Sequence, residues 1–105
     1  MSELTPAQSQ ELDRANRAAT LSQDPLILAA IAQLESDIFD LWKEPKLTPE
    51  LREELHRMQM TLGRFVGVLD AYITGGAEPR HILGLPAPEK TFLQRIKEWT
   101  HGQKA

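Results

Sequence analysis

Ile27, Ile31, Leu34, Ile38 and Leu41 recur along the chain at intervals of four and three, with polar residues in most of the gaps. The same rhythm returns, over a longer stretch, in Leu51, Leu55, Met58, Leu62, Phe65, Leu69 and Tyr72. That spacing puts each set on one helical stripe, and its underlying repeat of seven is that of a coiled-coil seam. The pattern predicts two helices, over about 25 to 43 and 49 to 74. The short link "EPKL" between them makes them antiparallel neighbours. A thinner stripe of Leu12, Ala15 and Ala19, with Ala18 and Leu21 beside it, predicts a helix over 6 to 21.

Three helix starts are written alike. Thr5, Asp24 and Thr48 each stand before a proline, at Pro6, Pro25 and Pro49. The side-chain oxygen caps free backbone N–H groups, and proline is harmless in the first turn, where its missing N–H is not needed. Gln8 completes a capping box with Thr5. Glu50, Glu53 and Glu54 suit the positive end of the third helix. Gly75-Gly76 reads as the C-cap that closes that helix. Beyond it, "AEPRHILGLPAP" reads as a connector holding Ile82, Leu83 and Leu85. A short helix over 88 to 100 follows, with Phe92, Leu93, Ile96 and Trp99 on one side and Lys90, Arg95 and Lys97 on the other. The expected architecture is all-α: an antiparallel coiled-coil helical hairpin, an N-terminal helix packed across its open end, and a tethered C-terminal helix. Residues 1–76 would form the hairpin domain and 77–105 an appendage.

Gly63 and Gly67 lie inside the third helix, where each costs roughly 1 kcal/mol relative to alanine. On the heptad of the seam they fall at positions b and f, away from the contact with the second helix. The segment from Leu62 to Ile73 carries only two charges, Arg64 and Asp70, and "LILAAIA" at 26 to 32 is apolar nearly all round. In an antiparallel hairpin these stretches meet at the open end, whereas the turn carries Lys43, Glu44, Lys46, Glu50, Arg52, Glu53 and Glu54. The open end is therefore expected to need a cover, supplied by the alanine stripe of the first helix or by a second subunit. Glycines would let that cover approach closely. Met60, also off the seam, would join the same face.

Charge is uneven: residues 1–78 hold 7 Lys/Arg against 13 Asp/Glu, and residues 79–105 hold 5 against 2. A mildly acidic body with a basic tail lacks the concentrated cationic face of a nucleic-acid binder. Arg95, Lys97 and Lys104 in the tail are not interleaved with stacking aromatics on one face. The chain has no cysteine, which removes disulfides, thiolate metal sites and a cysteine nucleophile. The polar N-terminus has no apolar signal-peptide core, and no run approaches the ~20 apolar residues of a membrane span, so a soluble chain is expected. Glu53 and His56 have the i, i+3 spacing of helical di-iron sites, but such a site needs two motifs and two further glutamates. His81 and His101 have no partner in a recognisable nucleophile arrangement. No enzyme, cofactor or metal site is expected. Trp42 is expected to cap the turn end, and Trp99 either to dock on a partner or to pack at home. The expected partner-binding residues are Met60, Gly63, Gly67, Phe92, Ile96 and Trp99.

The stretches "ELDRANRAATLSQDPLILAAIAQLESDIFDLWKE" and "LREELHRMQMTLGRFVGVLDAYITGG" carry a resemblance. Its positions are Arg14, Arg17, Ala18, Leu21, Asp24, Pro25, Leu26, Leu34, Glu35, Trp42, Arg52, Glu53, Leu62 and Gly75. Over residues 10 to 76 the chain resembles a group of small helical-hairpin proteins of unknown function encoded in tailed-bacteriophage genomes. What the resemblance implies is a phage protein from the head and packaging genes, in the virion or the host cytoplasm. The expected function is that of a non-catalytic structural or morphogenesis accessory protein. It would contact other phage structural proteins or itself in a multi-copy virion assembly. The alternative is a small phage-encoded adaptor or inhibitor that binds a host protein.

Overall fold

The computed structural model describes residues 3–103. Among the described residues the chain is all-helical: α1 Pro6–Leu21, α2 Pro25–Trp42, α3 Pro49–Gly75, α4 Ala77–Ile82 and α5 Phe92–Gln103. No helix in it is long and apolar enough to cross a membrane. The three proline starts form as the capping chemistry requires. Thr5 accepts from the Gln8 N–H at 3.1 Å while Gln8 returns a bond to the Thr5 N–H, and Asp24 and Thr48 accept from Leu26 and Leu51.

α2 and α3 run antiparallel across the 43–48 link, with the Trp42 indole Nε1 donating to Gln59 Oε1 at 3.0 Å near the turn. The seam between them is only half of the predicted stripe. Ile31, Ile38 and Leu55 are buried and Leu62 and Leu69 half-buried, but Leu34, Leu41, Leu51, Met58 and Phe65 are exposed. Val66 and Ile73 take the inward places that Phe65 and Tyr72 were expected to hold. Contacts therefore follow 55, 62, 66, 69 and 73 along α3, one residue out of phase with part of the predicted stripe. The physical reason is that α3 serves α1 and α5 as well as α2, and its best-buried line points among them.

α1 packs on the hairpin at its open end. It packs on α3 and α4 and hardly touches α2. Its Arg14 guanidinium stacks 4.3 Å from the centroid of the Tyr72 ring, and Ala15 is fully buried against Gly76. Ser22, buried at the elbow between α1 and α2, turns its hydroxyl onto the Ala19 carbonyl at 2.6 Å. The molecule is consequently long and thin, 64 × 33 × 16 Å.

Gly76 differs from its predicted role. Its φ of −83° is right-handed, so α3 passes into α4 through a bend rather than stopping at a left-handed cap. A Cβ at Gly76 would collide with the Ala15 methyl, and this close approach is what demands glycine there. The left-handed residue is Gly84, at φ +70°, which ends α4. Bonds from the Gly84 N–H to His81 O (3.1 Å) and from the Leu85 N–H to Arg80 O (2.8 Å) make the Schellman pattern.

The tethered C-terminal helix docks on the hairpin. Phe92 is 0% and Ile96 2% exposed, in one cluster with Ala18, Leu28, Ile31, Val66 and Ile73, and Trp99 packs against that cluster. The boundary expected at residue 76 therefore does not divide two cores. α5 also starts later than the proline pattern suggested. Thr91 and Gln94 form a second capping box, at 3.0 and 2.8 Å. The Asp70 carboxylate on α3 accepts from the N–H groups of Phe92 and Leu93. Helix-start donors are thus satisfied partly from within α5 and partly by its neighbour, which fixes α5 on the hairpin.

Candidate protein-contact site

The helical positions of α2 and α3 divide the hairpin into two faces on either side of its buried line. One face holds a groove of about 750 Å³. Ala32, Glu35, Ser36 and Phe39 form its α2 wall, Gln59, Leu62, Gly63, Val66, Gly67 and Asp70 its α3 wall, and Leu93 and Thr100 of α5 close one end. The lining is mostly apolar, with carboxylates at Glu35 and Asp70. Asp70 is already engaged by the start of α5, whereas Glu35 is exposed. Phe39 is 60% exposed at the rim, with the Lys43 ammonium 4.4 Å from its ring centroid.

Gly63 and Gly67 are in the groove wall, and nothing lies within 4 Å of where a Cβ would stand at either. Among the described residues no other element approaches them. Met60 is exposed and shares their face of α3, three and seven residues away. Of the six residues expected to bind a partner, these three are accessible together. The other three are not: Phe92 and Ile96 are interior, and Trp99 is half-buried against the same core. Their amphipathic pattern is used within the chain.

The remaining candidates are ordinary surface groups. Glu53 turns away from His56 to Arg57, at 3.5 Å, and Glu54 meets the same guanidinium at 3.2 Å. Among the described residues no three His, Asp or Glu side chains converge on a common point. His56, His81 and His101 are exposed. Lys97 is exposed and Arg95 half-buried, while Lys104 lies outside the described residues. Sequence reasoning missed Asp70 as the anchor of α5. Its signal was present, as one of two charges in an otherwise uncharged stretch.

No protein-family model, curated protein or solved structure matches this chain.

Proposed function

We propose that this chain is a non-catalytic structural or morphogenesis accessory protein of a tailed bacteriophage, working through protein–protein contacts in a multi-copy virion assembly. The phage origin rests on the resemblance over residues 10 to 76. The contact role rests on one observation: Gly63 and Gly67 line an open groove, and among the described residues no other element comes within 4 Å of where a Cβ would stand. Each glycine lowers helix stability by roughly 1 kcal/mol. Among the described residues no packing at these positions offsets that cost, and an external neighbour that needs a shallow wall accounts for it. A helix laid in the groove would find apolar walls, Phe39 at the rim, and glycines low enough for close approach.

The experiment is to purify phage particles carrying Gly67→Leu beside the unaltered protein and quantify the chain by mass spectrometry. A leucine there fills the groove from an exposed position and leaves the helices intact. The expected result is the unaltered chain in many copies per particle and the variant depleted. Absence of the unaltered chain from particles, with co-purification of one host protein, would replace this reading with the host-directed adaptor or inhibitor.

A further inference from the structure

The hairpin's other face is also uncovered, and it is built differently from the groove. Leu34 and Leu41 are seven residues apart on α2, and Leu51, Met58 and Phe65 are seven apart on α3. All five are exposed, with Leu34 at 51% and Phe65 at 54%. Seven residues bring a helix back to nearly the same azimuth, so each set forms a straight stripe. Both stripes lie opposite the groove. On α2 the groove takes Ala32, Ser36 and Phe39, and on α3 it takes Gly63 and Gly67, beyond the buried line from Leu34 and Phe65.

The α3 stripe continues to Tyr72, and there it is covered: Arg14 of α1 stacks on the ring. α1 then departs along α4 and leaves Met58 and Phe65 bare. The bare stripes run about 21 Å along α3, from Leu51 to Phe65, and about 10 Å along α2, from Leu34 to Leu41, across two helices about 10 Å apart. In projection that is on the order of 300–400 Å². It matches the largest apolar patch of a typical monomer, which is often functional, and is about half of the ~800 Å² per partner of a standard interface.

We infer that this face joins two copies of the chain into a four-helix bundle. An occupant must bring two apolar stripes of matching period on antiparallel helices. A second copy does so by construction, because a two-fold axis makes a face meet itself. Residues beside the stripes carry both signs, with Asp37 near one and Glu54 and Arg57 near the other, so no single-sign repulsion opposes the pairing. The net charge of −3 per chain is small. Pairing leaves the groove free, so two grooves would point outward from one bundle, as a repeated assembly element requires. The dimer does not depend on the proposed phage role.

The test is multi-angle light scattering and sedimentation equilibrium on the full chain, from about 1 to 500 μM. A two-copy species is expected. Phe65→Glu and Leu34→Glu each weaken it by about 30-fold or more, the scale of an interface hot spot. Circular dichroism checks that both variants stay helical. Met60→Glu, on the groove side, leaves the association unchanged. Met58→Cys, labelled with a self-quenching fluorophore in a chain that has no other cysteine, dims on association and gives a readout independent of mass. A monomer at every concentration overturns the dimer and leaves the face to a different protein. A dimer lost in Met60→Glu but kept in Phe65→Glu overturns it as well, by moving the interface to the groove.

Discussion

The two ends of the hairpin both carry large apolar residues, and these come to opposite fates. At the open end the last turns of α3 are enclosed by α1, by the start of α2 and by α5, and α4 continues beyond them. Ala18, Leu28, Ile31, Val66, Ile73, Phe92 and Ile96 form one buried cluster there. At the turn end only Ile38 and Leu55 are fully buried, while Leu34, Phe39, Leu41, Leu51, Met58, Met60 and Phe65 stay exposed. From sequence alone the open end, where apolar density peaks, needs a cover from α1 or from a second subunit, while the turn carries the charge. Apolar density marks where cover is needed. It does not say whether the chain supplies that cover itself. Here α1 and α5 cover the apolar end, and the sparser stripes of the other end stay bare.

The sharpest contrast is between two phenylalanines. Phe92→Ala removes the largest fully buried side chain and should cost about 3–5 kcal/mol, a loss on the order of 15 °C or more in Tm. Phe65→Ala, measured in dilute solution, should cost less than about 1 kcal/mol. Deleting residues 77–105 removes Phe92 and Ile96 together and should unfold the open end altogether. Calorimetry of the three proteins checks the order, and a truncated chain that melts like the full one would detach α5 from the core.

The glycines offer a reversal of sign. Gly76→Ala drives a methyl into Ala15 and should destabilise by about 1–3 kcal/mol. Gly63→Ala and Gly67→Ala meet open space and should each stabilise by about 0.5–1 kcal/mol. Urea titrations of the three variants would settle it, since equal effects would mean the two sites share one environment. A smaller change is expected for Asp70→Ala, which strips two acceptors from the start of α5 and should cost about 1–2 kcal/mol. The accompanying signature is faster amide exchange confined to α5.

How much of this was legible depends on how local the cause was. The three proline-marked starts follow from chemistry within four residues, and they form where the sequence places them. The helical class and the α2–α3 reversal rest on long periodic stretches, which tolerate local error. The choice among stripe residues was not legible. Phe65 and Val66 are neighbours on α3, and only the position of α1 and α5 decides which one turns inward. Two local signals went unread: the Thr91–Gln94 pair, written like Thr5–Gln8, and the left-handed stop at Gly84. The role of Gly76 could not be read, because its reason lies on Ala15, sixty-one residues away. Of the expected contact residues, Met60, Gly63 and Gly67 are open, and they were chosen for being off the seam. Phe92, Ile96 and Trp99 were chosen for amphipathicity, which serves a core as readily as a partner.

Amide hydrogen exchange, run at low and high protein concentration on the unaltered chain, tests the central contrast most directly. The account predicts strong, concentration-independent protection for residues 66 to 76 and for α5. It predicts weaker protection for 32 to 42 and 50 to 65 at low concentration, rising as the bare stripes pair. Uniform protection that ignores concentration, or α5 exchanging fastest of all, would contradict it.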